Sequence, residues 1–423
     1  MALPDSITAW IGEVMGAPVT AAKRVPGGAS REAWFVDVAT DGPSTPLFLR
    51  YDPNPKPPGG LFHPLRVEAE VLIALQDTDV TVPRTIAVHP TEEAMLAERV
   101  SGETWFYRIT DPDEQVRVAR DFIRNLAALH RLDPHELDLP SFGPVKSARA
   151  HALDEIANMR RRATPADGDL DPMLRFALDW LEHNVPDYDG PTLLIQGDTG
   201  PGNFMYEDGR VTAVVDWELA HFGDPMDDIA WLSLRTVQDT FTHFPDRLTE
   251  YEELSGHKID ESRVWYYRLF AEMRLATVRP ASAPSASVAG RDVGNALIYD
   301  MLHRRLLIEA LAHVVGIDLP VFEAPDLPTT RQTYLYDAAL SALRDILPAV
   351  QDPLAVRRTK GVARMLKYLK EVDRAGDLEA APHDRDLNDA DYVRGLWRQV
   401  QRDDYLMREA SGALRERTWP PLS

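Results

Sequence analysis

One stretch of this chain, residues 192–218, constrains the fold more than any other; it reads TLLIQGDTGPGNFMYEDGRVTAVVDWE. Residues 192–195 form a short apolar run bounded by glycine on both sides, which predicts a buried strand that ends in a loop. After the loop, residues 204–206 and 210–215 flank the turn sequence EDG, a pattern typical of a β-hairpin. The stretch therefore predicts a strand, a glycine-rich loop and a hairpin in immediate succession.

The polar side chains of this stretch lie in the loop and after the hairpin. Asp198 and Asn203 stand five positions apart, in the pattern D-x-x-x-x-N, with a Gly-Pro-Gly sequence between them that allows a tight loop. Asp216 and Glu218 follow the second hairpin arm. Because alternate residues of an extended chain share one side, both carboxylates can face the same cleft. Four oxygen-bearing side chains are thus expected around one pocket.

Phosphoryl transfer explains why these residue types occur together. One Asp accepts the hydrogen bond of the acceptor hydroxyl, an Asn five residues later holds metal, and a second Asp after a hairpin bridges metal and phosphate. Mg²⁺ takes few protein ligands and prefers oxygen. We therefore predict Asp198 as the catalytic base and Asn203, Asp216 and Glu218 as Mg²⁺ ligands. Solvated turn carboxylates are the alternative interpretation.

Two segments carry a resemblance to a known family. QGDTGPGN and, after it, VVDWELAHFGDPMDDIAW closely resemble the motifs H-G-D-x-x-x-x-N, I-D-W-E and G-D-P-x-x-D-L-A of the aminoglycoside phosphotransferase and choline kinase-like superfamily. The chain is especially similar to the branch with kinase domains related to acyl-CoA dehydrogenase partners. Gln196 stands where the family usually has His, a position that is not the base. The resemblance covers residues 20–315.

The resemblance implies an α+β, bilobal protein-kinase-like fold that uses ATP and Mg²⁺. A small β-rich N-lobe would occupy residues 1–100, and a mostly helical C-lobe with the catalytic loop would occupy residues 101–318. Residues 319–423 lie beyond the resemblance. Their helical runs carry charge on one face and apolar residues on the other, which predicts an additional C-terminal helical region. We interpret this region as a bundle packed on the C-lobe or as a homodimer surface.

The resemblance also implies nucleotide-binding residues in the N-lobe. Gly27, Gly28 and Ser30 belong to a glycine-rich turn whose family equivalent covers the nucleotide phosphates, although the turn by itself also suits an ordinary hairpin. Glu98 and Val100 fall in the segment that matches the family hinge. Backbone groups of that hinge would face adenine, so the side chains matter less there.

Charged residues outside the loop complete the predicted site. Arg50 takes the place of the phosphate-binding Lys, since an Arg can hold a phosphate oxygen with two donors. Its partner is a glutamate of the next helix, Glu68 or Glu70, and the family wording favours Glu68. Asp228 begins a later helix and, in the family, braces the catalytic loop. His130, at the end of a predicted helix, is interpreted as a packing residue.

The composition excludes several classes of function. The 46 basic and 67 acidic residues give a net charge of −21, which argues against a nucleic-acid partner. The chain has no Cys, which excludes disulfides, thiol nucleophiles and Cys-ligated zinc. Its first residues lack a basic segment before an apolar core, and no segment is apolar enough to span a bilayer. We therefore expect no membrane partner and a cytoplasmic location.

These observations together predict an ATP-dependent kinase that phosphorylates the alcohol group of a small molecule (EC 2.7.1.-). The alternatives are an aminoglycoside or other antibiotic phosphotransferase and a nucleotide-binding pseudokinase. The retained aspartates and asparagine argue against a pseudokinase. The short interval between Asp216 and the next helix leaves no room for the activation segment of a protein kinase.

The acceptor is predicted from the aromatic residues of the later helices. A polycationic aminoglycoside needs several acidic partners, because an unpaired buried charge costs several kcal/mol. Trp265, Tyr266, Tyr267 and Phe270 crowd one helical turn, with Glu272 as the nearby carboxylate. We expect these aromatic residues to face the acceptor, which favours a largely apolar alcohol or a hydroxyacyl compound.

Overall fold

A computed structural model of the chain describes residues 3–25, 31–39, 42–55, 60–165, 168, 170–277, 292–376 and 389–423. Its contacts divide the chain into a first unit, residues 1–267 with 420–423, and a second unit, residues 268–419. The predicted divisions at residues 100 and 318 stay predictions.

Nine strands lie in the described residues of the first unit: β1 (Val19–Val25), β2 (Glu32–Val38), β3 (Thr45–Tyr51), β4 (Thr85–Val88), β5 (Ala94–Glu98), β6 (Leu193–Ile195), β7 (Phe204–Glu207), β8 (Arg210–Val214) and β9 (His221–Gly223). The first five form an antiparallel sheet in the order β1-β2-β3-β5-β4. The hairpin β7–β8 and the strand β6 agree with the prediction. The partner of β6, β9, was not predicted, because three residues are too few to show an alternating pattern.

The described residues also contain twelve α-helices: α1 (Asp5–Met15), α2 (Leu65–Leu75), α3 (Pro112–Leu129), α4 (Ala148–Ala163), α5 (Pro172–His183), α6 (Met226–Gln238), α7 (Phe244–Ser255), α8 (Glu261–Ala276), α9 (Val293–Val315), α10 (Thr333–Ile346), α11 (Pro353–Ala375) and α12 (Asp389–Ser411). Residues with side-chain oxygens begin several of them: Asp111, Ser147 and Asp171 each accept a hydrogen bond from a backbone N–H of the first turn. Within the ranges described above, no helix has the length and apolarity needed to cross a membrane.

The N-terminal sheet has one face in the core and one face toward the site. Along β3, Leu47 and Leu49 are buried against Ile7 and Ile11 of α1, together with Trp34 of β2. Because side chains of a strand alternate between the two faces, the residue after Leu49, which is Arg50, points to the opposite face. The apolar packing of the sheet thereby decides where the guanidinium group lies.

A short connection joins this sheet to the hairpin that follows the catalytic loop. Glu103 and Tyr206 exchange two backbone hydrogen bonds, both of 2.9 Å. Gly102 has φ +117°, and a Cβ there would lie 2.5 Å from the carbonyl oxygen of Tyr206. Only glycine accommodates both the backbone angle and the close approach. The hinge segment is therefore fixed to the hairpin β7–β8.

The second unit contains the C-terminal helices that the sequence predicted. α11 and α12 pack against α9, and α10 packs against α11. Two buried carboxylates join these helices: Glu371 pairs with Arg374 at 3.0 Å and with Arg408, and Asp404 pairs with Arg305 at 3.5 Å. Burial of a carboxylate is tolerated when such partners compensate its lost hydration.

A close approach of two helices in this unit gives a testable prediction. Gly294 of α9 lies so near the backbone of α11 that an added Cβ would overlap the carbonyl group of Gly361. We predict that Gly294→Ala lowers the free energy of unfolding by about 1–3 kcal/mol, as overpacking does. Gly395→Ala in α12, where nothing lies within 4 Å of an added Cβ, should instead raise it by roughly 0.5–1 kcal/mol. Denaturant unfolding measures both values, and equal stability of the two variants would contradict the helix contact.

Candidate active site

The predicted base and the predicted metal ligand Asn203 lie in one tight loop between β6 and β7. Asn203 donates from Nδ2 to the backbone oxygen of Asp198 at 2.7 Å, and its own backbone oxygen accepts from Val215 N at 2.9 Å. Gly197 begins the loop with φ +82°, and a Cβ there would overlap the carbonyl group of Leu219. The loop is thus held at both ends, and glycine is required where it passes the chain that follows the hairpin.

Gln196, where the family usually has His, ties this loop to Asp216. Its Nε2 donates to the backbone oxygens of Val215 at 3.1 Å and Asp216 at 3.0 Å, and its Oε1 accepts from Asp198 N at 3.2 Å. Asp216 has φ +64°, a left-handed conformation that costs energy for a residue with a side chain. An amide offers two donor hydrogens and an acceptor at one end of a side chain. Gln196, in place of the usual His, therefore holds Asp216 in its left-handed conformation through hydrogen bonds.

Asp228 of α6 holds the start of this loop through hydrogen bonds. The carboxylate is fully buried and accepts from the backbone N–H of Gln196 at 2.9 Å and of Gly197 at 2.8 Å, and from the hydroxyl of Thr199. His130 Nε2 lies 3.1 Å from the same carboxylate, and His130 Nδ1 lies 2.7 Å from the Tyr251 hydroxyl. His130 is therefore a packing residue with a defined role, because its imidazole links the end of α3 to the Asp228 carboxylate.

Arg50, Glu68, Asp216 and Glu218 come together in one cluster, although they come from distant parts of the sequence. Arg50 Nη1 contacts Glu68 and lies 3.4 Å from Asp216, while its Nη2 lies 3.7 Å from Glu218. Glu68, rather than Glu70, is the helix partner: Glu70 is bound to Ser141 at 2.6 Å. The sheet, helix α2 and the segment after β8 each contribute one side of this cluster.

Arg31 belongs to the same cluster, and the sequence analysis missed it. Its Nη1 lies 3.1 Å from Glu68 and 2.9 Å from Glu218, and its Nη2 donates to the backbone oxygen of His63. His63 in turn donates from its backbone to Glu218 O at 2.8 Å. The position of Arg31 just after the glycine-rich turn was the available signal, but nothing local marks an exposed-looking Arg as the partner of two distant glutamates.

The crowding of carboxylates changes their proton affinities. Burial, reinforced by the neighbouring Asp216, raises the pKa of Glu218 to about 7. Burial likewise raises the pKa of Glu68, against the lowering effect of Arg50. Burial alone would lower the pKa of Arg50, but Glu68 and the other carboxylates raise it, so this guanidinium stays charged. The cluster therefore concentrates negative charge that a cation can compensate.

Arg235 of α6 is the second residue that the sequence analysis missed. It holds both carboxylate oxygens of Asp198, with Nε 2.7 Å from Oδ1 and Nη2 in contact with Oδ2. Burial raises the pKa of Asp198, and Arg235 opposes that rise. No spacing in the sequence relates residue 235 to residue 198, because the contact arises only when α6 packs beside the loop.

The remaining predicted residues are placed as follows. Glu98 ends β5 and accepts from the backbone N–H of Arg84 at 3.1 Å, and Val100 is half-buried just beyond it. Gly27, Gly28 and Ser30 lie outside the described residues. In the part of the chain that is described, no group of three or more His, Asp or Glu side chains already has the arrangement of a metal site.

Three of the four aromatic residues expected to face the acceptor lie in the core instead, and the fourth, Trp265, is half-buried. Tyr266, Tyr267 and Phe270 are core residues with 1–3% of their surface exposed. Glu272 is buried as well, and its carboxylate lies 3.0 Å from His303 Nδ1. That expectation was wrong because the periodicity of a helix reveals its apolar face but not whether this face meets the core or a ligand. Any inference about the chemical nature of the acceptor must therefore come from other residues.

The arrangement of strand, loop, hairpin and paired carboxylates matches a known family. The pattern of the family described as "Phosphotransferase enzyme family" matches residues 21–265, more than half of the chain. This chain belongs to that family. The catalytic loop, the Arg50 cluster and Asp228 all fall inside the matched residues, and the C-terminal helices of the second unit fall outside them.

Curated relatives match part of this chain. Human acyl-CoA dehydrogenase family member 11 is 30% identical over 229 residues, 49% of this chain and 29% of the human protein. The rat protein is 29% identical over 212 residues, 46% of this chain and 27% of its own length. The match thus spans less than a third of these relatives.

Two solved structures show the fold. A Ralstonia eutropha protein assigned as an aminoglycoside phosphotransferase superposes with a TM-score of 0.52 at 20% identity, over 74% of this chain and 94% of that one. The APH(2")-IIa chain of the streptomycin–ATP complex gives 0.50 at 13% identity, over 66% and 92%. The predicted kinase-like α+β fold is confirmed.

The hydrogen bonds of Asp228 give a prediction for the loop. Asp228→Asn replaces one acceptor oxygen with an NH₂ group. At least one buried donor then loses its hydrogen-bond partner, which costs about 1–3 kcal/mol. A second donor is left facing the hydrogen atoms of the new NH₂ group. We predict a loss of about 3 kcal/mol in the free energy of unfolding. Urea unfolding followed by Trp fluorescence measures it. Asp246→Asn, at an Asp whose side chain is 62% exposed, is the control and should change stability by less than about 0.5 kcal/mol.

Proposed function

We propose that this protein is an ATP-dependent small-molecule kinase that transfers the γ-phosphate of ATP to a hydroxyl group. The proposal rests on one observation: Arg50, Glu68, Asp216 and Glu218 meet in a cluster, and the loop that carries Asp198 is bonded to the backbone of Asp216 through Gln196. This set supplies a cation for phosphate oxygens, carboxylates for a metal and a carboxylate for the acceptor, which are the groups that phosphoryl transfer requires.

The proposed reaction follows from these groups. The acceptor hydroxyl donates a hydrogen bond to Asp198, and its oxygen forms a bond to the γ-phosphorus while the bond from that phosphorus to the β–γ bridging oxygen breaks. ADP leaves with the electrons of the broken bond, and the hydroxyl proton passes to Asp198 and then to water. Arg50, held by Glu68, neutralises charge on the phosphates. Orientation contributes more than basicity, because the transition state is loose.

The predicted Mg²⁺ ligands have donors that suit this metal. Asn203, Asp216 and Glu218 offer only oxygen ligands, which hard cations prefer. Burial raises the pKa of Glu218, and the neighbouring Asp216 adds to that rise through a repulsion that a divalent cation would relieve. When bound, Mg²⁺ would supply charge neutralisation for the phosphates. We assign its retention to these three residues.

For the acceptor we propose a hydroxyacyl compound or a similar neutral or anionic alcohol rather than an aminoglycoside. Arg235 neutralises Asp198, so the base does not offer a net negative charge to an ammonium group. The curated relatives are named acyl-CoA dehydrogenases, which supports a substrate with an acyl chain. The net charge of −21 belongs to the whole chain and is not a property of this pocket.

A panel of acceptors tests the proposal. Kanamycin-type aminoglycosides, choline, hydroxy acids and hydroxyacyl-CoA thioesters are each incubated with ATP and Mg²⁺, and transfer is followed by ³¹P NMR of the product. We expect transfer to a hydroxyacyl compound, and Asp198→Asn should reduce it about 10²-fold or more while leaving nucleotide binding intact.

Asp208→Asn is the matched control for that substitution. Asp208 is exposed in the hairpin turn with φ +50°, a conformation that Asn adopts readily, so its turnover should equal that of the wild type. Efficient transfer to an aminoglycoside with inert hydroxyacyl compounds contradicts the acceptor. Nucleotide binding without transfer to any member of the panel, or full activity of Asp198→Asn, contradicts the proposed kinase.

The metal assignment gives a separate prediction. Asp216→Asn keeps a residue that tolerates φ +64° but removes the charge, whereas Glu218→Gln removes a charge that Arg31 already compensates. We expect Asp216→Asn to weaken Mg²⁺-dependent binding of a non-hydrolysable ATP analogue about tenfold or more, and more than Glu218→Gln does. Titration calorimetry with and without Mg²⁺ gives the difference. Identical binding by both variants and the wild type would remove these residues from the metal site.

A further inference from the structure

The pair between Arg235 and Asp198 has the geometry of a fixed fork. Two neighbouring guanidinium nitrogens face the two carboxylate oxygens, with Nε 2.7 Å from Oδ1 and Nη2 in contact with Oδ2. The side chains are 22% and 16% exposed. A bidentate pair of this kind fixes the plane of the carboxylate as well as its position, which a single hydrogen bond does not.

The loop is shaped to receive the Arg235 side chain. A Cβ at Gly200 would lie 2.6 Å from Arg235 Cβ, and Gly200 has φ +138°, so glycine is needed there for both reasons. A Cβ at Gly202 would lie 3.9 Å from Arg235 Nη1. The Gly-Pro-Gly sequence inside D-x-x-x-x-N therefore does more than tighten the loop: it lets the stem of an arginine from α6 lie against the loop backbone.

The backbone and the side chain of Asp198 are held by different residues. Its N–H and C=O are bonded to Gln196 and Asn203, both within the loop. Its carboxylate is bonded to Arg235, which α6 carries. Loss of the Arg235 side chain would thus free the carboxylate to turn, while Asp228 of the same helix still holds the backbone N–H groups of Gln196 and Gly197.

We propose that Arg235 is a positioning residue that orients the Asp198 carboxylate toward the acceptor hydroxyl. By covering both carboxylate oxygens, Arg235 also limits the access of solvent and reagents to Asp198. This inference rests on the proposed function, in which Asp198 receives the hydroxyl proton. A neutralised carboxylate is a weaker base, but in a loose transition state orientation outweighs basicity. A misplacement of about 1 Å at such a group can reduce the rate on the order of 10²-fold.

A second pair in the same unit provides the matched control. Arg263 holds Asp224 with the same fork, Nε 2.9 Å from Oδ2 and Nη2 2.6 Å from Oδ1, and Asp224 stands just before α6. Both pairs fasten α6, but only one contains the proposed base. A purely structural role of Arg235 predicts that its removal resembles the removal of Arg263.

The test compares Arg235→Met, Arg235→Lys and Arg263→Met in the full chain. For the acceptor that the wild type phosphorylates, we expect Arg235→Met to lower kcat about 10²-fold, with the KM for ATP changed less than about twofold. Arg235→Lys should recover part of the loss, since a charge survives without the fork. Arg263→Met should lower the unfolding temperature without changing kcat per folded molecule.

A chemical measurement gives a readout that needs no turnover. Carbodiimide with glycine ethyl ester labels accessible carboxyl groups, and peptide mass spectrometry locates the label. We expect labelling of Asp198 to rise several-fold in Arg235→Met and to stay at the wild-type level in Arg263→Met. Unchanged Asp198 labelling in Arg235→Met, or a kcat equal to or above that of the wild type, overturns the inference.

The outcomes separate this inference from the proposed function. If the wild type transfers phosphate and Asp198→Asn abolishes transfer while Arg235→Met is fully active, the kinase stands and the role of Arg235 falls. If the wild type transfers phosphate to no member of the panel, the proposed kinase falls, and the labelling result alone decides whether Arg235 controls access to Asp198.

Discussion

The site depends on a buried carboxylate that does not itself belong to the cleft. Asp228 is fully buried, and the loop that carries Asp198 gives it two backbone N–H groups and one hydroxyl. A carboxylate without such donors could not remain charged away from water. The loop satisfies the carboxylate, and the carboxylate in turn fixes the first residues of the loop. His130 and Tyr251 extend the same network into α3 and α7, so the position of Asp198 is set by the packing of three helices around one anion.

In the cleft, unlike at Asp228, the carboxylate charges outnumber the cationic groups that pair with them. Two guanidinium groups, Arg31 and Arg50, face the three carboxylates of Glu68, Asp216 and Glu218. Burial, to which the neighbouring Asp216 adds, raises the pKa of Glu218 to about 7. A structure optimised for stability alone would avoid such crowding, because like charges in a poorly hydrated place destabilise the folded state. An excess of carboxylates beside a guanidinium group suits the proposed site, in which a metal and a polyphosphate would bind together.

The second unit uses buried ion pairs in a different way. Glu371 pairs with Arg374 of its own helix and with Arg408 of α12, and Asp404 pairs with Arg305 of α9 and with Arg415 after α12. These pairs are satisfied within the unit, and none of them involves the residues matched by the family. Their role is to fix which helix faces which, since a buried carboxylate that lost its partner would be strongly destabilising. The family assignment therefore does not extend to the C-terminal helices.

The sequence alone determined much of the local structure and pointed to the residues that we propose for the chemistry. The strand, loop and hairpin of residues 192–218 were predictable because turn glycines, β-rich runs and D-x-x-x-x-N are all short-range patterns. The cluster of Arg50 with Glu68 was predictable only through the family resemblance. Arg31 and Arg235 were not, because no spacing in the chain connects them to their partners.

Tertiary structure also decided that aromatic residues predicted to lie at the site belong to the core. Tyr266 and Phe270 occupy an apolar helix face, and the sequence could not show that this face is buried. The physical reason is the same in each case. Periodicity and spacing report contacts within one element, whereas the orientation of a base, the compensation of a charge and the burial of a ring depend on elements that are distant in sequence and meet only when the chain folds.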